Sequence, residues 1–202
     1  MDKEELEFRV NQVIYKKVFE ADECETLLKY YQDGMTPSGM LTYSSNDRYK
    51  VTEDLNRSDY RKSKEKFISR EEGTWIKEKL TPYIKEINDK FFKIESLLFG
   101  QFGFLEYKEN DEFKWHTDMG LIPPYSLRKI SIVIFMSDRD EYEGGQIEFL
   151  PKLKDPIKME KGYMLIFPSH KIHRVSPITK GIRRTLVNWV YEYNPNLDIT
   201  KI

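Results

Sequence analysis

The sequence predicts a mainly β protein of the α+β class, an antiparallel sandwich or jelly roll with helices packed at its N-terminal side. Three observations carry this expectation. The second half holds short runs rich in β-branched and aromatic residues: "LLFGQFGFLEY", "KISIVIFM", "GQIEFLP", "YMLIFP" and "RRTLVNWVY". Turn-forming stretches, "GLIPPYS", "YEGG" and "SPITKG", separate them, and such punctuation marks short strands. No helical pattern lies between the runs, which argues against crossover helices and for antiparallel pairing.

The first half reads as mostly helical. "ADECETLLKYYQDG" places Cys24, Leu27, Leu28 and Tyr31 on one helical face. Asp22 with Glu25 three places later suggests a capping box, and Gly34 a stop. "GMTPSGMLTYSSNDRYK" is rich in turn formers and reads as a loop. "WIKEKLTPYIKEINDKFF" repeats apolar residues at Ile76, Leu80, Ile84, Ile87 and Phe91, a second helix. Pro82 either kinks it or opens its second part. The 202 residues suit one domain: residues 1–96 as a helical support region, 97–193 as the β core, and 194–202 as a C-terminal tail.

Charge narrows the partners. Lys and Arg number 33 against 34 Asp and Glu, a net charge of −1, so no overall basic field draws the chain to nucleic acid or anionic lipid. No apolar run approaches the roughly 18 residues of a membrane span. The first residues, "MDKEELEFRV", lack the apolar stretch of a signal peptide. Cys24 is the single cysteine, so no intrachain disulfide forms. The expectation is a cytoplasmic protein with no nucleic-acid or membrane partner.

Chemistry concentrates around the histidines. The chain has three, and all lie in two segments. His116 and Asp118 in "FKWHTDMG" follow a strand, where a spacing of two returns side chains to one face. His170 and His173 end an apolar strand in "GYMLIFPSHKIHRV". One of these two with His116 and Asp118 would make two histidines and a carboxylate, the facial triad of non-haem Fe(II) oxygenases. Arg183 and Arg184 open the last strand. Alternation places Arg183, Thr185, Val187 and Trp189 on one face and Arg184, Leu186, Asn188 and Val190 on the other. A guanidinium can grip a carboxylate through two parallel hydrogen bonds, although either arginine alone reads as an exposed residue at a strand start. Gly144-Gly145 reads as a strand connection.

Taken together, these residues resemble the prolyl 4-hydroxylase-type branch of the 2-oxoglutarate/Fe(II)-dependent dioxygenases, most of all the bacterial PKHD-type hydroxylases. The shared pattern is H-x-D, a distant histidine, and a basic residue ten places beyond it: His116, Asp118, His173 and Arg183. The phrases "WHTD", "DEYEGGQIEF" and "FPSHKIHRVSPITKGIRR" match as well. The likeness covers about residues 17–192 and is strongest from Phe104 to Trp189. Before that, "VFEADECETLL" and "RKSKEKFIS" resemble the family's N-terminal helical region.

The resemblance implies a cupin-like double-stranded β-helix core with iron at its mouth. His116, Asp118 and His173 would hold Fe(II) and form the catalytic centre. Arg183 would bind the far carboxylate of 2-oxoglutarate, and Tyr107 matches a tyrosine that hydrogen-bonds this co-substrate, its competing reading being a core tyrosine. His170 stands thirteen residues before Arg183, outside the interval, and reads as a residue behind the ligands or at the pocket rim, with metal ligation the lesser alternative. The implied reaction hydroxylates an unactivated C–H bond while 2-oxoglutarate is decarboxylated to succinate and CO2. The carboxylate of Asp118 favours hydroxylation over halogenation. O2 is the other co-substrate, L-ascorbate a reductant common among relatives, and the substrate a peptide, protein or small molecule, with peptidyl proline or an amino acid suggested by analogy. "SSNDRYKVTEDLNRSDY" and "MGLIPPYSLRK" are the expected substrate loops. The competing reading is a non-catalytic jelly-roll protein that holds metal or 2-oxoglutarate for sensing or structure.

Overall fold

Period-two alternation along the apolar runs dictates the architecture, because each strand has two faces to bury. A computed structural model describes residues 8, 11–29, 34–38, 41–43, 51–53, 59–193 and 195. Its strands are β1 (Ile14–Lys17), β2 (Thr36–Pro37), β3 (Leu41–Tyr43), β4 (Val51–Glu53), β5 (Lys64–Phe67), β6 (Leu97–Phe99), β7 (Gly103–Tyr107) and β8 (Phe113–His116). There follow β9 (Arg128–Phe135), β10 (Tyr142–Gly144), β11 (Ile147–Leu150), β12 (Tyr163–Pro168), β13 (Ile172–Val175), β14 (Ile178–Gly181) and β15 (Arg183–Glu192). The helices are α1 (Ala21–Leu28) and α2 (Thr74–Ile87).

Among the described residues every strand pairing is antiparallel. The major sheet runs β1-β12-β9-β15-β7-β5-β2, with β6 beside the far end of β15. The minor sheet is β11-β13-β8, and β10 pairs with β14. The two facing sheets make a double-stranded β-helix, the jelly roll expected from the sequence.

Alternation splits the major sheet between two cores. Ile130, Ile132 and Ile134 of β9, Met164 and Ile166 of β12, and Leu186 and Val190 of β15 face the helices. There they meet Leu27 of α1 and Ile76, Leu80, Ile84 and Ile87 of α2, the residues whose helical spacing predicted this face. Intervening residues, among them Val133, Phe135, Leu165, Phe167 and Val187, point the other way, toward the minor sheet. The site lies in this second layer, between the sheets.

The first half departs from a mostly helical reading. Strands β1, β2 and β5 extend the major sheet, and β3 pairs with β4. "RKSKEKFIS", expected in a helical region, contains β5. Its charged residues carry no alternation of their own. Pairing with β7, Glu65 opposite Leu105 and Phe67 opposite Gly103, imposes the extended form. The capping box of α1 uses Glu20 and Glu23, not Asp22 and Glu25: the Glu20 N–H donates to Glu23 Oε2 at 2.8 Å. Helix α1 ends at Leu28, and Tyr31 lies outside the described residues. Helix α2 runs unbroken through Pro82 and continues as a wider π turn over Asn88–Phe92. No helix among the described residues is long and apolar enough to cross a membrane.

Candidate metal and co-substrate site

Cross-strand pairing builds the donor cluster. His116 ends β8, and His173 lies directly opposite it on β13, so both imidazoles leave one face of the minor sheet side by side, their ring centroids 4.2 Å apart. Each ring is fixed the same way: Nδ1 of His116 lies 2.7 Å from the Lys114 carbonyl, and Nδ1 of His173 2.9 Å from the Lys171 carbonyl. An Nδ1–H donated to a carbonyl leaves Nε2 as the lone-pair nitrogen. The two Nε2 atoms each stand 3.7 Å from a different Asp118 oxygen, His116 from Oδ1 and His173 from Oδ2. One donor atom from each of the three residues fits within 4.8 Å of the others.

Electrostatics keeps His116 and Asp118 in ligand form. Burial, with the neighbouring His173 imidazole, pushes His116 down to about 3. Burial alone would raise the Asp118 carboxyl, but His173, His116, the Ser131 hydroxyl and Arg128 outweigh it and hold it below the usual carboxylate value. A neutral imidazole and an ionised carboxylate are what a metal requires. Phe113 stacks on the His116 ring at 3.5 Å and 14°.

Asp118 sits on a short excursion after β8, pinned from the neighbouring strands. Its N–H and that of Met119 both donate to the Ser169 carbonyl at 2.9 Å. Ser131 Oγ of β9 donates to Asp118 Oδ2 at 2.6 Å. Sequence reasoning missed Ser131 and Ser169, although a hydroxyl inside the apolar run "KISIVIFM" was a visible signal.

A cavity of about 620 Å³ opens at the donors and runs between the sheets. Leu105, Val133, Ile147, Val175 and Val187 supply apolar walls. Arg183 and Tyr107 line it too, at 2% and 1% exposure, paired across β15 and β7. The Arg183 guanidinium lies 5.5 Å from the Tyr107 ring and 5.8 Å from Phe135. Its Nε and Nη2 are buried without a hydrogen-bond partner among the described residues. A buried charge without a partner is costly, and an anion at this end of the cavity would offset that cost. Arg184, one residue on, faces the other way and pairs with Glu106 at 3.1 Å.

Gly145 does more than connect strands. It holds φ +60°, and a Cβ there would lie 2.3 Å from Ile178 Cδ1 and 2.9 Å from Arg183 Cδ. Its missing side chain leaves room for Ile178 and, beside it, the Arg183 stem. His170 is exposed and lies outside both the donor cluster and the cavity lining. Arg128, also missed, lies over the Trp189 ring at 4.0 Å, and its Nε donates to the Tyr191 hydroxyl at 2.9 Å.

The sequence model of the 2OG-Fe(II) oxygenase superfamily matches residues 102–191. This segment is similar to that superfamily over its whole length. The matched segment carries the donor cluster, Tyr107 and Arg183. A PKHD-type hydroxylase of Xylella fastidiosa (strain M12) is 36% identical over 97 residues, 43% of this chain and 42% of that protein. One from Synechococcus sp. (strain CC9902) is 33% identical over 84 residues, 41% of this chain and 37% of that protein. The matches thus span under half the length of these relatives. Among solved structures, a Pseudomonas putida prolyl-4-hydroxylase superposes with a TM-score of 0.67 at 16% identity, covering 95% of this chain and 98% of that one. A viral collagen prolyl hydroxylase from Paramecium Bursaria Chlorella virus-1, in a 2OG complex, gives 0.66 at 18% identity, covering 91% and 97%. At these identities the structural likeness is one of fold.

The residues of this segment fit the groups that the matched superfamily is named for. Two imidazole nitrogens and a carboxylate suit Fe(II) with positions left open. The unpartnered guanidinium of Arg183 suits the free carboxylate of 2-oxoglutarate.

Proposed function

We propose that the protein is an Fe(II)- and 2-oxoglutarate-dependent hydroxylase. The observation that carries this reading is one cavity with a His-Asp-His donor cluster on its wall and, within it, a buried guanidinium whose Nε and Nη2 lack an acceptor among the described residues. When bound, the metal and 2-oxoglutarate supply the oxygen chemistry: the co-substrate is decarboxylated to succinate and CO2, and one oxygen atom enters a substrate C–H bond.

The chain's own residues do the rest. His116 and His173 offer their Nε2 lone pairs because the Lys114 and Lys171 carbonyls take the opposite ring proton. Asp118 adds negative charge and occupies a position a halide would need. Arg183 binds the distal carboxylate of 2-oxoglutarate, and the Tyr107 hydroxyl shares that end of the cavity. The apolar walls exclude water, which strengthens the charge pairing. Arg128, stacked on Trp189, lines the outer part where a substrate enters.

A peptidyl prolyl substrate is the finer reading. The fold neighbours are named prolyl hydroxylases, and one, from Trichoplax adhaerens, is described in complex with a peptide fragment of the hypoxia inducible factor oxygen degradation domain. Leu121 and Phe67, 80% and 43% exposed, stand at the cavity rim and offer an apolar landing for a chain. We place the protein in the cytoplasm, since its one cysteine is a buried thiol and free thiols suit a reducing compartment.

The test is turnover. Fe(II)-loaded protein with 2-oxoglutarate should release succinate, slowly alone and faster with a substrate from a proline-containing peptide library. The product should gain 16 mass units (about one oxygen atom), with one succinate per hydroxylation. Tight binding of metal and 2-oxoglutarate without O2 consumption, whatever the peptide or amino acid, would replace this reading with a sensor.

A further inference from the structure

The two oxygens of Asp118 have different surroundings. We propose that Ser169 and Ser131 form a buried hydroxyl relay that reserves Oδ2 as a hydrogen-bond acceptor and leaves Oδ1 as the one metal-binding oxygen. Ser131 and Ser169 are positioning residues, and their role rests on the Fe(II) reading of the site above.

Both hydroxyls are out of water: Ser131 is 1% exposed and Ser169 0%. Ser131 Oγ lies 2.6 Å from Asp118 Oδ2 and 2.9 Å from Ser169 Oγ. A serine hydroxyl has one proton to donate, and an ionised carboxylate can only accept. The Ser131 proton therefore goes to Oδ2. The contact with Ser169 must then run in the other direction, Ser169 donating to Ser131 Oγ. The chain has one order, Ser169 to Ser131 to Asp118, and each bond polarises the next. Oδ1 has no such donor among the described residues. Each oxygen lies 3.7 Å from one imidazole, Oδ1 from His116 Nε2 and Oδ2 from His173 Nε2, so the serine hydroxyl is what sets the two apart.

The main chain makes the assignment rigid. The Ser169 carbonyl takes the N–H of Asp118 and of Met119, and the Ser169 N–H donates to the Lys129 carbonyl at 3.0 Å. Asp118 is held at its backbone and at Oδ2 by the same two serines. Ser131 stands between Ile130 and Ile132, inside the apolar run that follows Arg128 and Lys129 in this strand. A buried hydroxyl there gains nothing from packing and is stable only with hydrogen-bond partners. Carboxylates bind cations through one oxygen or two. With Oδ2 engaged, Asp118 binds through one and leaves room for the co-substrate.

The experiment compares wild type, Ser131→Ala, Ser131→Thr and Ser169→Ala as purified apo proteins, titrated without oxygen or 2-oxoglutarate. Fe(II) affinity is read by calorimetry, and Co(II) as a coloured surrogate by visible absorption. Loss of a partner behind a metal ligand typically costs about 10- to 100-fold in affinity, and Ser131→Ala should fall in that range while Ser131→Thr, which keeps the hydroxyl, stays within about threefold of wild type. The Co(II) bands of Ser131→Ala should weaken, as a second carboxylate oxygen raises the coordination number. Wild-type affinity and spectrum in Ser131→Ala, or equal damage in Ser131→Thr, would overturn the proposal. Should Ser131→Ala prove unfolded by its apo melting curve, Ser169→Ala decides: it keeps the bond to Oδ2 but removes the donor behind it. It should bind several-fold more weakly, and unchanged binding overturns the relay. A wild type that takes up no metal overturns the Fe(II) reading itself, whereas serine variants that match a metal-binding wild type overturn only the relay.

Discussion

Replacing Arg183 with methionine should separate stability from co-substrate binding. The guanidinium carries buried Nε and Nη2 atoms without partners among the described residues, and each unsatisfied polar group costs on the order of 1–3 kcal/mol. Methionine removes that cost. It also removes the contacts with the Tyr107 and Phe135 rings at 5.5 and 5.8 Å, each contributing about 0.5–2 kcal/mol. The two effects nearly offset, so the apo melting temperature should move by a few degrees at most, at about 2–4 °C per kcal/mol for a chain of this size. With 2-oxoglutarate the difference becomes large. Truncating one partner of a buried charged pair costs about 2–5 kcal/mol, or roughly 30-fold to several-thousand-fold in Kd. At a concentration of 100 wild-type Kd, ligand stabilises wild type by about 2.7 kcal/mol and the variant by at most about 0.9. Thermal melts and calorimetry with Mn(II) and 2-oxoglutarate read both quantities. Arg183→Lys should recover part of the affinity, and Arg184→Ala, which loses the 3.1 Å pair with Glu106 on the opposite face, should leave it unchanged. Equal losses at 183 and 184, or unaltered affinity in Arg183→Met, would refute the assignment.

His173→Ala should abolish Fe(II) binding in a calorimetric titration, whereas His170→Ala, altering an exposed residue, should bind within about twofold of wild type, as surface changes usually do. Gly145→Ala should destabilise the fold by about 1–3 kcal/mol through strain at positive φ and weaken 2-oxoglutarate binding by displacing Arg183, both visible in melts with and without ligand. Burial raises the Cys24 thiol to about 11. Because the folded value lies above the unfolded one, the associated stability is complete below the unfolded pKa of about 8.5 and is lost as pH rises from there toward 11. Cys24 should resist thiol reagents at pH 8 until the protein is unfolded, and rapid labelling of native protein would contradict its burial.

Local pattern made much of this protein legible. The apolar runs of β9, β12 and β15 announced themselves because both their faces are buried, and α2 because Ile76, Leu80, Ile84 and Ile87 share one stripe. The strand β5 was hidden: Lys64, Glu65 and Lys66 carry no pattern, and only pairing with β7 makes them extended. The donor residues could be read from their types and spacing, since chemistry restricts which side chains hold iron. The groups that orient them could not. Ser131 and Ser169 are 38 residues apart, and only the fold brings them to Asp118. Gly145 looked like a turn because its role is a space, defined by Ile178 and Arg183 further along the chain. The segment 44–60, expected to face substrate, lies mostly outside the described residues.

The division of the cavity between two sheets has a consequence for how its occupants communicate. The two histidines belong to β8 and β13 of the minor sheet, while Tyr107 and Arg183 belong to β7 and β15 of the major sheet. A ligand that spans the gap engages both at once, so occupancy at one end alters the free energy of occupancy at the other. Such coupling is reciprocal: whatever factor bound metal contributes to 2-oxoglutarate affinity, 2-oxoglutarate returns to the metal. On the proposed function, metal would be lost at low 2-oxoglutarate and retained at high 2-oxoglutarate, and the supply of this oxo acid would govern how long the centre stays loaded.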